Sequence, residues 1–268
     1  MDHCGVRVSN SAIHLQPLGK RLLKIQPPKK SDDQPQAASA KKLEKFQESA
    51  WKCIVYILLT AASSFALSNE TFWRDVSEYW TQCDRLPCQY EASRRIKFAY
   101  ALDMAYYMYA IPYCIMFETK RKDFWATLLH HFVTVALIAY SYALGFTKIG
   151  VIIMFLHDVC DSPLEMAKLA KYAGQEALTN FLFVCFTVIW IAMRVVYFPV
   201  WVIWSVVWDS FAAVVGENGH IDFPHWEIFT GMLVTLWLLH LYWTYVILQI
   251  AAAAVMQGSA SDTREDDD

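Results

Sequence analysis

The chain has 268 residues, 56% hydrophobic and 15% aromatic, with a net charge of −3 and a mean hydropathy of +0.25. Soluble domains are roughly 45–50% apolar, so this composition excludes an ordinary soluble helical bundle. A charge so near neutral, with no basic-aromatic groove pattern, argues against nucleic acid as a partner.

Residues 1–41 form a polar, basic arm (Lys20, Arg21, Lys24, Lys29, Lys30, Lys41) interrupted by Pro27-Pro28, and are expected to be disordered and cytosolic. Nothing before Trp51 has the apolar core of a cleavable signal peptide, so the first span is expected to act as its own uncleaved insertion signal. Apolar runs then follow at Trp51–Ser68, Ile96–Phe117, Phe124–Leu144, Ile149–Ala170, Thr179–Val207 and Trp226–Ala254. About 20 residues cross a hydrocarbon core, so the expected fold is an all-α, polytopic membrane protein with a bundle of about six transmembrane helices. The fourth run is the least hydrophobic and holds most of the acids, so it must face protein or water rather than lipid. Residues 42–256 form the transmembrane domain, and 257–268 an acidic cytosolic tail.

The loops carry their own signals. Cys83 and Cys88 flank a four-residue turn and can pair if that loop is lumenal; the other cysteines read as packing residues. Asn69-Glu70-Thr71 is a glycosylation sequon set so close to the first span that poor use is expected. Basic residues crowd the N-terminal arm, Lys120-Arg121-Lys122, and Lys168 with Lys171, whereas Asp209–His225 has no Lys or Arg. The positive-inside rule therefore places both termini in the cytosol.

The chemistry concentrates between residues 130 and 165. A charged group at the bilayer centre costs at least ~2.5 kcal/mol, so a cluster of ionisable groups marks function. His130 and His131 lie in the third run and point ~100° apart on a helix, so they cannot face one point equally. In the fourth, Asp158, Asp161, Glu165, Lys168 and Tyr172 step by three and four into one stripe, with His157 one turn before Asp161. Pro163 frees the carbonyl of Val159 and predicts a kink. His240 reads as isolated, and His3, His14, His220 and His225 as peripheral. Three central histidines are too few for a di-iron centre. A zinc on two His and an Asp is geometrically allowed. Acid–base or nucleophilic work by a His–Asp system fits better, with no metal and no tightly bound cofactor. Arg194, inside a span, needs a partner: an acid of the cluster or a phosphate.

The series His130-His131…Thr134…Ser141-Tyr142…Gly150…Leu156-His157-Asp158…Asp161…Leu164-Glu165…Ala167-Lys168…Tyr172 resembles the longevity-assurance motif of ceramide synthases. Lys45–Trp51, Glu118–Phe124 and Arg194…Phe198-Pro199 resemble the flanking segments, and the similarity covers about Lys42–Met256. The resemblance implies a TLC-domain enzyme of the endoplasmic reticulum that joins a fatty acyl-CoA, as co-substrate, to the amino group of a sphingoid base. It implies that His130 and His131 are catalytic, one of them acyl carrier or general base, with His157, Asp158 and Asp161 orienting that imidazole. Lys120, Arg121 and Lys122 are candidates for the CoA phosphates, Glu165 and Arg194 for substrate binding, and the segment Asp209–His225 for acyl-chain choice. The partners implied are membrane lipids, both substrates, and a homodimer, heterodimer or accessory subunit.

The chain departs from the family at Gly145, Lys148, Pro163 and Lys171, none of them a proposed catalytic group. It resembles the shorter architecture of the family, or lacks an N-terminal piece. Two other readings compete. One is a non-catalytic TLC-domain protein in lipid sensing, lipid trafficking or translocon association, in which the full His and Asp set is not expected. The other is a proton-coupled transporter using the same acids.

Overall fold

The computed structural model describes residues 16–23, 33–83, 86–117, 121–210 and 225–257. Their longer regular elements, in chain order, are α1 (Gln16–Leu22), α2 (Asp33–Leu67), α3 (Arg94–Met116), α4 (Phe124–Ala143), α5 (Thr147–Tyr172), α6 (from Glu176) and α7 (His225–Gln257), with a 3-10 turn at Val76–Trp80. Helix α6 is α-helical to Trp190 and continues through Ile191–Ile203 and Ser205–Asp209 with the wider i→i+5 hydrogen bonding. The described residues contain no strand.

The six long helices α2–α7 occupy the six apolar runs. Ser39–Leu67, Phe124–Ala143, Glu176–Asp209 and His225–Ala254 are long and apolar enough to cross a membrane by length and composition. Helices α3 and α5 are 23 and 26 residues long but fall outside that set, since α3 carries Asp103 and α5 the His–Asp series. Asp103 of α3 and His157 and Asp158 of α5 are tolerated because each is buried against other helices. Helix α5 packs against α2, α3, α4 and α6, and its residues from Thr147 to Met154 are buried without interruption. It runs on as one helix through Pro163. The outward faces of the other helices carry exposed Phe65, Met108, Trp125, Phe181, Val188 and Leu238, as a lipid-facing belt requires.

The basic arm differs from expectation. Helix α1 and the start of α2 lie inside residues 1–41, so part of the segment expected to be disordered is helical. Two causes are visible. Lys41-Lys42-Leu43-Glu44-Lys45 is a run of good helix formers, and Leu43, Phe46 and Ala50 find an apolar surface to bury against. Phe46 and Ala50 cluster with Tyr172 at the end of α5, with Leu23 packed beside them. The acidic tail from residue 258 and the segment 211–224, expected to bear on acyl-chain choice, lie outside the described residues.

Residues 68–93 close one end of the bundle. Asp75 caps the 3-10 turn by accepting from the Ser77 amide and hydroxyl, which holds its carboxyl below the usual range. Trp80 Nε1 donates to Ser205 Oγ at 2.8 Å, tying the turn to α6. The buried Lys148 ammonium donates to Glu78 O (3.0 Å), Thr81 O (3.1 Å) and Thr81 Oγ1 (2.6 Å) and sits over the Tyr90 ring. Cys83 and Cys88 are joined by a disulfide, and Cys88 N donates to Leu144 O at 2.9 Å. Gly145 makes the turn into α5 at φ +76°, and a Cβ there would stand 2.7 Å from Cys88 O. Only glycine satisfies both demands.

Candidate active site

Four imidazoles meet where α4, α5 and α7 converge. His130, His131, His157 and His240 are all buried. Adjacent positions on α4 aim the first two apart. His130 stacks on His157 (centroids 6.0 Å, 24° between planes) and meets the edge of Trp243 at 5.5 Å. His131 turns toward α3, with its ring 5.7 Å from Tyr107. Trp243 is itself fixed, because its Nε1 donates to Asp123 Oδ2 at 3.0 Å.

His157 is engaged at both nitrogens. Its Nδ1 lies 2.7 Å from Ile153 O, which can only accept, so Nδ1 carries the proton. In a neutral ring Nε2 is then the acceptor, and His240 Nε2 donates to it at 3.1 Å. His240, read from sequence as isolated, is therefore the partner of His157. The His157 ring is held by its own backbone and by α7.

Two acids of the stripe have cationic partners and the third has none among the described residues. Asp161 Oδ1 accepts from Arg194 Nη2 at 2.8 Å, and the same Nη2 donates to His157 O at 2.7 Å. That guanidinium also lies over Trp190, 4.3 Å from its centroid, so Arg194 resolves its need for a partner with an acid of the cluster. Glu165 Oε1 accepts from Lys168 at 2.6 Å. Asp158 is fully enclosed and neither of its oxygens has a hydrogen-bond partner among the described residues. Asp103 on α3 is in the same condition.

A cavity of about 190 Å³ leads to the His pair. Its basic end is lined by Lys52, Arg121, Lys168 and Lys171, its apolar wall includes Phe183, Phe186 and Ile250, and His130, His131, Asp161 and Arg194 lie along it. Lys52 and Arg121 share Glu48, at 3.0 and 3.6 Å. Lys122 is exposed beside this end, and Lys120 lies outside the described residues. A second cavity of about 30 Å³, lined by Asp103, Asp158, Thr134, Tyr107 and His157, lies deeper. Among the described residues no three His, Cys, Asp or Glu side chains converge as a metal ion requires, so the zinc arrangement allowed by sequence has no ligand set there. The site can offer an imidazole beside an apolar wall, with cations at the entrance.

Sequence reasoning missed Asp103 and His240. The signal for each was its presence as a lone ionisable residue inside an apolar run.

The TLC domain profile matches residues 45–249. The chain is 30% identical over 230 residues to ceramide synthase 1 LOH3 of Arabidopsis thaliana, covering 84% of this chain and 75% of that protein. It is 32% identical over 237 residues to ceramide synthase LOH1 of the same plant (85% and 76% covered) and 34% identical over 226 residues to ceramide synthase 5 of Homo sapiens (84% and 55% covered). With the matched region running from within α2 almost to the end of α7, the chain belongs to the TLC-domain family that includes these ceramide synthases.

Proposed function

We propose that this chain is a ceramide synthase of the endoplasmic reticulum membrane, with both termini cytosolic. It transfers a fatty acyl group from acyl-CoA to the amino nitrogen of a sphingoid base, giving a ceramide or dihydroceramide and CoA. The observation that carries the reading is His130. Its ring lines the large cavity, its Nδ1 has no hydrogen-bond partner among the described residues, and it stacks on an imidazole whose tautomer is fixed.

A C–N bond forms at the thioester carbonyl, the C–S bond breaks, and the sulfur leaves as CoA thiol with a proton from the amine. Imidazole suits both available routes. It can take the proton of the attacking amine as general base, or accept the acyl group first and pass it on. Asp161 and Arg194 hold the α5 backbone at His157, and thereby the surface on which His130 rests. Arg121, Lys168 and Lys171, with Lys120 and Lys122 in the adjoining loop, supply positive charge for the phosphates of CoA. No tightly bound cofactor is needed, because the thioester is already activated. A second subunit, identical or accessory, is compatible with the exposed apolar faces.

The test uses membranes of cells without their own ceramide synthase, given labelled sphinganine and a panel of acyl-CoAs. The wild-type chain is expected to form ceramide, and His130→Ala and His131→Ala none at equal protein level. Equal product from wild type and His130→Ala would overturn the assignment. Intact-protein mass after acyl-CoA alone separates the routes, since only the covalent one adds the acyl mass.

A further inference from the structure

We propose that Asp103 and Asp158 form the subsite that receives the ammonium group of the long-chain base, with Thr134 as third acceptor. The proposal rests on the acyltransferase reading above. Asp103 comes from α3 and Asp158 from α5, 55 positions apart by number (158 − 103), and both are fully buried. All four of their carboxylate oxygens lack a hydrogen-bond partner among the described residues, as does Thr134 Oγ1. The three residues line one cavity of about 30 Å³.

Enclosed carboxylates without partners are costly, and the cost is relieved when a cation with hydrogen bonds to give enters between them. A primary ammonium is such a cation, compact and with three N–H donors. Three side chains with free acceptor oxygens line the cavity, and about 30 Å³ is room enough for an amino group. Tyr107 and His157 explain how such a group meets the reaction. Tyr107 lines both cavities, and its ring is 5.7 Å from His131 and 6.3 Å from His130. An amine seated on the acids is thus separated from the imidazoles by one aromatic ring. Here one carboxylate takes a proton from the ammonium, breaking N–H and forming O–H. The neutral amine then attacks the acyl carbonyl, forming C–N as C–S breaks, and its second N–H proton leaves with the CoA thiol.

The experiment compares purified full-length wild type, Asp103→Asn and Asp103→Glu. Thermal unfolding in detergent is measured with sphinganine, with its analogue bearing hydroxyl in place of the amine, and with sodium chloride alone. Ceramide formation is measured on the same samples. Sphinganine is expected to raise the unfolding temperature of the wild type more than the hydroxyl analogue does. Asp103→Asn is expected to abolish that difference and Asp103→Glu to restore part of it. The KM for sphinganine should rise about 10-fold or more in Asp103→Asn, the size of a lost hydrogen bond to a charged group, while the KM for acyl-CoA stays within about 2-fold, less than half a kcal/mol. Equal stabilisation by the amine and hydroxyl compounds in wild type, stabilisation by sodium alone, or an equal rise in both KM values would each overturn the subsite. Wild type that binds sphinganine through Asp103 but makes no ceramide would leave the subsite standing and remove the acyltransferase reading.

Discussion

The 3.1 Å contact between His157 and His240 joins α5 to α7 at the centre of the site, with His157 Nε2 accepting because its Nδ1–H donates to Ile153 O. Its loss leaves a buried acceptor unpaired, which costs about 1–3 kcal/mol. His240→Ala is therefore expected to lower the unfolding temperature and to cut ceramide formation. His240→Gln, whose side-chain amide can still donate to Nε2, should recover most of both. A Gln variant no better than Ala would show that the contact matters only for packing. Arg194 makes a sharper case. Removing it as Arg194→Met leaves Asp161 without its cation in a nearly closed site, a loss of about 3–5 kcal/mol for a broken buried pair. The double variant Arg194→Met/Asp161→Asn should be more stable than Arg194→Met alone, as read by unfolding in detergent. Such couplings explain what the sequence could and could not reveal. His130, His131, His157, Asp158 and Asp161 are recognisable from local spacing. His240 and Asp103 show locally only as lone ionisable residues in apolar runs, because their roles depend on a contact with His157, 83 positions away, and on a cavity shared with Asp158.

At the scale of the helix, hydrophobic run length located all six long elements, and the errors fell at their ends. Helix α2 begins at Asp33 rather than near Trp51, since amphipathic residues such as Leu43 and Phe46 gain burial only from tertiary neighbours, which run length does not register. The continuous stripe on α5 was legible, but its division among Arg194, Lys168 and the pocket shared with Asp103 was set by where α3 and α6 pass. The α4–α5 turn gives a direct test of element geometry. Gly145 combines positive φ with backbone contact at 2.7 Å, so Gly145→Ala should destabilise by about 1–3 kcal/mol, the range for a strained residue. Gly150 is tight for another reason, since a Cβ there would lie 1.7 Å from the Tyr100 hydroxyl that bonds Ser141 at 3.1 Å. Gly150→Ala should displace Tyr100 and disturb the acid pocket both residues line. Ceramide formation with unchanged KM for sphinganine in that variant would contradict the coupling.

Over the whole molecule, the two ends of the bundle differ in kind. One holds Lys52, Arg121, Lys168 and Lys171 around an opening, and the other is filled by Phe72, Tyr79, Trp80, Phe146 and Phe229 in the main apolar core. Lys148 pins the covering loop to α5 through three hydrogen bonds. The Cys83–Cys88 disulfide closes a short ring within that loop, where chain-entropy arguments give about 2 kcal/mol. Cys83→Ser/Cys88→Ser should therefore lose thermal stability by that order, with catalysis per folded molecule nearly unchanged, as measured by ceramide formation against folded protein. Loss of catalysis at full folding would mean that the cap shapes the reaction chamber itself.

The plugged end has a consequence for direction. Among the described residues, the cavity opens at the basic end and apolar side chains fill the other. Reactants and products are therefore expected to use the basic mouth or the gaps between helices facing lipid. The chemistry is thereby expected to be sided, answering first to the solutes of the compartment at the mouth.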